Sequence, residues 1–394
     1  MAEQLSRKPI PLWLDCDTGH DDALAILLAG RDPLSNLLGI STIYGNATLT
    51  HTTYNTRAIL KAIKREDVGV HVGASKPFCR AAAVAADIHG ESGLDGTTCL
   101  PTPDVPARPE IAVDAMYKAL ISEAPGTAYI VATGACTNIA LLFSIHPELA
   151  EHIAGLSIMG GAIGGGFSDA PMGKVHGQGE RFGNWTPWAE FNIYIDPESA
   201  NAIFSNETLA KKTTLIPLDL THQFLATAEI QHALRFGFDF KYSSSDSSSP
   251  SASSSDSASS NNYTPATTTI TTVRKLYSQI LTFFAKTYAD VFGLTQGPPA
   301  HDPLAVAAVL QPDLFFENTT GTGTGTGNGE RFAVQVIIDG EHGASDHVRS
   351  NSGSQCGRTV ATLLPAHELG VRIPRLLDAE KVWRMLDDCL ARVG

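Results

Sequence analysis

What most constrains the fold is an alternation of short apolar strands and helical segments across the first 160 residues. Residues 10–15 read as a strand, 22–29 as a compact helix closed by Gly30 and Pro33, and 37–44 as a second strand stopped by Gly45-Asn46. Residues 51–63 read as a helix, 128–132 and 156–159 as buried strands, and 138–143 as the helix between them. Strands alternating with helices predict an α/β fold: an open, mainly parallel, Rossmann-like sheet flanked by helices. Such sheets bind ligands beyond the carboxyl ends of their strands. The loops that follow each strand are therefore where chemistry is expected.

Two segments interrupt this pattern. Residues 243–262 are almost pure serine with some Asp, Ala and Asn, and cannot bury enough apolar area to offset their ordering entropy. Residues 321–329 repeat Thr-Gly and read as a flexible loop. An amphipathic helix over 274–288 and a strand over 331–339 flank them, so both read as insertions in one domain spanning residues 1–394. The charge balance, 28 basic against 41 acidic residues, disfavours binding to nucleic acid or to an anionic membrane. No apolar run reaches the ~18 residues of a membrane span, and the N-terminal residues lack a signal-peptide core. The six cysteines form neither a disulfide framework nor a zinc spacing, which fits reduced thiols in the cytoplasm.

The densest chemical signal follows the first strand. Asp15, Asp17, Asp21 and Asp22 fall within eight residues, between a strand and a helix. Asp15 and Asp17 project from one side if the strand persists that far. Asp21 and Asp22 sit at a helix start, where the macrodipole favours negative charge, and Gly19 permits a tight turn. Converging carboxylates raise one another's pKa unless a cation compensates them, and all-oxygen ligands suit calcium or magnesium. His20, between these acids, reads as a surface histidine. Locally the stretch fits two enzyme classes. Haloacid-dehalogenase-like phosphatases use Asp-x-Asp-x-Thr, from which Thr18 is displaced by one place; nucleoside hydrolases open with Asp-x-Asp-x-Gly-x-Asp-Asp, which Asp15 to Asp22 match throughout.

The rest of the chain extends the second match. Tyr44-Gly45-Asn46, His89-Gly90 through Gly93-Leu94, Thr133-Gly134 through Thr137-Asn138-Ile139-Ala140, Met159-Gly160-Gly161, Ala189-Glu190-Phe191-Asn192 and His301-Asp302-Pro303 follow in order. On these motifs the sequence resembles the inosine-uridine-preferring nucleoside hydrolases, calcium-dependent N-ribohydrolases. The resemblance implies hydrolysis of a ribonucleoside to ribose and free base. One calcium ion per site would be held by Asp17, Asp22, the Thr133 carbonyl and Asp302, with Asp17 taking the proton from a metal-bound water. Asp21, Asn46, Asn184, Glu190 and Asn192 would hold the ribose hydroxyls with Asp302 beside them, and Met159 would lie against the sugar. His301 is the expected acid for the leaving base, with Tyr288 and His89 at the base. Asp15 is expected to brace the loop. The resemblance also implies a homo-oligomer, dimer or tetramer.

The chain departs from the family pattern in three places. Residues 164–185 are longer and richer in glycine than expected, so Asn184 is aligned only by its spacing from Glu190, and Trp185 and Trp188 could stack on a base or pack the loop. Where the family helix can present two tyrosines, this chain has Phe284 and Tyr288. The serine-rich insertion falls just before that helix. These departures leave a non-catalytic ribosyl-binding protein as the alternative, and the phosphatase as a more distant one.

Overall fold

The first strand, β1 (Ile10–Cys16), shows why the sheet must be covered on both faces. Leu12, Leu14 and Cys16 join one apolar core, whereas Trp13 joins a second core on the opposite face. A strand buried on both sides requires helices above and below. The computed structural model describes residues 8–171, 182–238, 270–317, 329–343 and 353–394. Serine-rich residues 243–262 and Thr-Gly residues 321–328 lie outside them.

The central sheet has six strands in the order β3 (Val70–Val72), β2 (Ser35–Thr42), β1, β4 (Tyr129–Ala132), β5 (Gly155–Met159) and β6 (Thr213–Ile216). Every neighbouring pair is parallel, as the alternation predicted. The chain runs outward in one direction through β2 and β3 and in the other through β4, β5 and β6. Strands β1 and β4 therefore border the point where strand order reverses, the place where doubly wound sheets open a crevice.

Helix α1 (His20–Arg31) begins two residues before the expected helix and continues through Gly30. Gly30 is a site of close approach, not a stop: a Cβ there would lie 2.9 Å from Cδ1 of Ile63. The helix is buried at eleven positions, from His20 to Gly30, so its acidic first turn is carried into the interior. The helix expected over 274–288 runs over Thr272–Phe292. The Thr271 side chain accepts from the Arg274 backbone N–H at its start, and Gly293 ends it at φ 67° in the left-handed region. Arg274 is further held by Asp387, at 2.6 Å, and by the Leu234 carbonyl. Tyr277 donates a 2.8 Å hydrogen bond to the Ala23 carbonyl, locking this helix to α1. The late strand is shorter than expected, Phe332–Val336, and pairs antiparallel with Thr359–Leu363. All six cysteines are free thiols. No helix among the described residues is long and apolar enough to cross a membrane.

Candidate active site

The crevice lies beyond the carboxyl ends of β1 and β4. Strand β1 ends at Cys16, so the chain turns before Asp17 and the two strand-end aspartates part company. Asp15 stays beneath the site, accepting hydrogen bonds from Ser41 Oγ and, at 2.8 Å, from Asn138 Nδ2. Its backbone carbonyl accepts from the Thr133 N–H at 2.9 Å, tying β1 to the loop after β4. Asp15 thus sits where a brace would, and does not line the cleft.

Asp17 occupies a slot flanked by two glycines, Gly45 and Gly134. A Cβ on Gly45 would collide with its Oδ2, and one on Gly134 would lie 2.8 Å from its Oδ1. Its Oδ2 accepts from the Asn46 N–H at 2.8 Å, while Oδ1 is buried without a hydrogen-bond partner. Asp22 is more fully engaged. It accepts from Gly19 N–H at 2.9 Å, from Asn46 Nδ2 at 2.9 Å and from Thr133 Oγ1 at 2.8 Å. The three carboxylates drawn closest are Asp21, Asp22 and Asp302, with one oxygen from each within 4.8 Å of the others. Of the four carboxylates, Asp17 lies outside this tight trio and Asp21 lies within it, although the expected metal set had the reverse.

Burial is the main cause that raises the pKa of all four carboxyls. Asp17 and Asp302 are driven well above the ordinary range, Asp21 to about 8, and Asp22 upward. Charge on Asp22 adds to the rise at Asp17 and Asp21, and the charges on Asp21 and Asp22 add to it at Asp302. No lysine or arginine among the described residues pairs with any of them. Uncompensated charge of this kind is unfavourable in a low-dielectric interior. The orphaned Asp17 oxygen and the all-oxygen donor set, which includes the Thr133 carbonyl at the cleft surface, suit a hard divalent cation.

A cleft opens above these carboxylates. Asp21, Asn46, His89, Thr133, Met159, Asn184, Glu190, Asn192, Tyr288, His301 and Asp302 all line it. Asp17 and Asp22 do not reach its surface and lie beneath the floor. The Glu190 carboxylate caps the helix Phe191–Ile195, accepting from the Asn192, Ile193 and Gly161 N–H groups, and burial raises its pKa to about 7. Asn192 Nδ2 donates to the Thr133 carbonyl at 2.9 Å, and Asn184 Oδ1 accepts from the Phe191 N–H at 2.9 Å. The spacing from Glu190 thus carries Asn184 to the cleft despite the long preceding loop.

His301 bonds Thr221 Oγ1 through Nδ1 and the Tyr288 hydroxyl through Nε2, each at 2.7 Å. Burial, aided by His222, lowers its pKa well below the ordinary value. Thr221 was not anticipated, because a threonine in a short helix carries no distinguishing pattern. Phe191 and Phe292 are further unforeseen wall residues. Phe284, Tyr288 and Phe292 recur every fourth residue on one helix, a spacing that could have revealed the aromatic wall.

Three other expectations are resolved by position. His20 is not a surface histidine: it is fully buried, because Phe283 and Phe284 stack on it at 5.2 and 5.3 Å. Trp185 lines the cleft and packs on Phe191 at 4.6 Å, whereas Trp188 lies away from it against Phe182 and Arg358. The Thr18 hydroxyl bonds Thr56 Oγ1 at 2.6 Å beneath the site, so it offers nothing to a phosphate.

Residues 12–384 match the family model described as inosine-uridine preferring nucleoside hydrolase. A uridine nucleosidase of Saccharomyces cerevisiae is 38% identical over 304 residues, covering 77% of this chain and 76% of the relative. A pyrimidine-specific ribonucleoside hydrolase, RihA, of Citrobacter koseri is 37% identical over 307 residues, covering 78% of this chain and 81% of the relative. Among solved structures, a purine-preferring ribonucleoside hydrolase from Gardnerella vaginalis superposes with a TM-score of 0.71 at 25% identity, over 97% of this chain and 98% of that one.

Proposed function

Because the chain belongs to the inosine-uridine preferring nucleoside hydrolase family and is a hydrolase of N-glycosyl bonds, we propose that it cleaves ribonucleosides to ribose and free base using one calcium ion per site. Pyrimidine ribonucleosides, uridine foremost, are the proposed substrates, in line with the two curated relatives. The observation that carries the reading is the buried, uncompensated cluster of Asp17, Asp21, Asp22 and Asp302 beneath and at the floor of the cleft.

Asp17, Asp22, the Thr133 carbonyl and Asp302 would hold the calcium ion, which would supply positive charge to keep these carboxylates ionised and to polarise water. Asp17 accepts a proton from the water that attacks the anomeric carbon. Its position suits a base, because Asn46 fixes one oxygen and leaves the other free. Asp21, Asn46, Asn184, Glu190 and Asn192 hold the ribose hydroxyls, and Met159 packs against the sugar. Glu190 is well placed to do this rigidly, since three backbone N–H groups fix its carboxylate. Negative charge around a fixed sugar favours the oxocarbenium-like transition state. As the glycosidic bond breaks, the electron pair leaves with the base, which takes its proton from the imidazolium form of His301, with Thr221 and Tyr288 fixing the ring. Water's hydroxyl ends on the anomeric carbon.

We also infer one domain over residues 1–394 with insertions at 243–262 and 321–329, a cytoplasmic location and a dimer or tetramer. A reducing-sugar assay on uridine, cytidine, inosine, adenosine and guanosine, with calcium and with chelator, tests the reaction. Calcium-dependent ribose release is expected, fastest with uridine. No release from any nucleoside by folded, calcium-loaded protein would refute it.

A further inference from the structure

Asn184 reaches the cleft from the tip of a tight turn, residues 182–189, whose ends are fastened outside it. Asn184 Oδ1 accepts from the Phe191 N–H, so its amide NH2 remains for the cleft. In the reaction proposed above, that donor meets a ribose hydroxyl. Backbone bonds shape the turn. The Phe182 and Gly183 N–H groups share the Pro187 carbonyl, each at 3.3 Å, and the Trp185 N–H donates to the Ala189 carbonyl at 3.1 Å. Thr186 Oγ1 accepts from the Trp188 and Ala189 N–H groups at 3.2 and 3.0 Å. Gly183 permits this crossing of the chain, because a Cβ there would collide with the Thr186 and Ala189 carbonyls.

The two ends of the turn meet at Arg358. Its guanidinium carbon lies 5.5 Å from the centre of the Phe182 ring and 5.2 Å from that of Trp188, and the two rings meet edge to face at 5.4 Å. Arg358 is itself anchored. A guanidinium nitrogen donates to Gln355 Oε1 at 2.7 Å, its backbone N–H to the Gln355 carbonyl at 2.9 Å, and its carbonyl accepts from the Ile337 N–H at 2.9 Å. It also forms an antiparallel bridge with Ala189, just before the strand Thr359–Leu363. The Arg358 Nε is buried with no hydrogen-bond partner among the described residues, and a desolvated cation gains most from aromatic faces. Phe182 is backed by Gly164, where a Cβ would lie 2.5 Å from its ring, and Asp219 accepts from the Gly164 N–H at 2.9 Å.

We propose that Arg358 is a positioning residue for the substrate: with Phe182 and Trp188 it clamps the base of the turn and so sets where Asn184 stands against the ribose. Arg358 does not line the cleft, so it acts only through the turn. Trp185 is held separately, by packing on Phe191 at 4.6 Å and on Tyr194 at 6.2 Å. The carboxylate cluster is separate too, since Asp21 and Asp22 belong to α1 and Asp302 precedes the helix Pro303–Leu310. Loosening the clamp therefore weakens the hold on the sugar without moving the carboxylates. A contact made equally in the ground and transition states acts on KM and not on kcat. The inference rests on the proposed ribonucleoside reaction, and it adds to that reaction a residue that never touches the substrate.

Arg358→Met keeps most of the side chain and removes its charge. R358M should raise KM for uridine by about three- to tenfold, the scale of a desolvated cation–π contact, with kcat and calcium affinity close to wild type. R358K, which keeps a cation beside the rings, should recover most of the loss. Asn184→Ala should raise KM at least as far. On the N184A background R358M should add less than about twofold, because both substitutions act through one side chain. Losses that multiply in the double variant, or an unchanged KM in R358M, overturn the proposal. Trp188→Leu removes the other half of the clamp and carries the same expectations if R358M does not fold. Should wild type release no ribose from any nucleoside, the reaction is refuted, and crystal structures of wild type and R358M decide the clamp alone: Asn184 displaced from the cleft supports it, and Asn184 unmoved overturns it.

Discussion

Replacing Asp17 with asparagine should stabilise the metal-free protein while abolishing its response to calcium. The Asp17 carboxyl is fully buried, with Oδ2 bonded to the Asn46 N–H and Oδ1 unpartnered among other carboxylates. An asparagine carbonyl can keep the Asn46 bond, and its NH2 would face those carboxylates as a donor. A buried polar group left without its partner costs about 1–3 kcal/mol, so Asp17→Asn should gain on this order in chelator at pH 8. The sign follows from the raised pKa. A carboxyl whose folded pKa lies above its unfolded value is tolerated while protonated, at low pH. It destabilises the fold progressively as pH climbs from the unfolded value toward the folded one. The advantage of the variant should therefore vanish near pH 4 and grow with pH. Calcium reverses the order. A ligand at a hundredfold excess over its Kd stabilises by about 2.7 kcal/mol, and wild type should gain this while the variant gains little. Thermal unfolding of both proteins at several pH values, in chelator and in calcium, reads the crossing. A variant clearly less stable than wild type in chelator at pH 8 would refute the argument, because the carboxylate would then stabilise the fold without a cation.

Other outcomes follow from the same geometry. Calcium should bind more tightly at pH 8 than at pH 6, because raised carboxyl pKa values mean that binding must displace protons; calorimetry in two buffers of different ionisation enthalpy would count those released. Tyr288→Phe removes the group that bonds His301 Nε2 and should lower kcat on uridine by about 10–100-fold. The same variant should nearly keep its rate on a nitrophenyl riboside, whose leaving group departs without a proton. Equal losses on both substrates would remove Tyr288 from leaving-group chemistry. Gly30→Ala places a Cβ 2.9 Å from Ile63 and should cost about 1–3 kcal/mol in stability, with KM unchanged in the surviving protein.

The parts of the site legible in the sequence are those whose chemistry is local to a strand end. Asp21 and Asp22 could be placed at a helix start from their neighbours, whereas Asn46, Thr133 and Met159 were reached only through motifs that resemble the family's. The alternating pattern also gave the parallel sheet, because burial on two faces is written directly in β1. Long-range contacts were hidden. His20 looks polar among aspartates, and only Phe283 and Phe284, on a helix far along the chain, make it interior. Gly30 resembles a helix stop until Ile63 is seen packed on it. The parting of Asp15 and Asp17 depends on where β1 ends, a boundary that residue pattern places only to within a few positions.

The helix Thr272–Phe292 supplies the aromatic wall of the cleft, and its first turn is pinned by described residues that lie outside 239–269. Thr271 caps it, while Arg274 is bound by Asp387 from the C-terminal helix Ala379–Val393 and by the Leu234 carbonyl. Tyr277 adds the bond to α1 one turn later. Residues 239–269 enter immediately upstream of these fastenings. Changes in their length and composition are expected to leave Phe284 and Tyr288 in place, because the fastenings named here come from other parts of the chain. A tag placed within this low-complexity segment is therefore expected to leave substrate choice unchanged, which kcat/KM on a series of nucleosides would check.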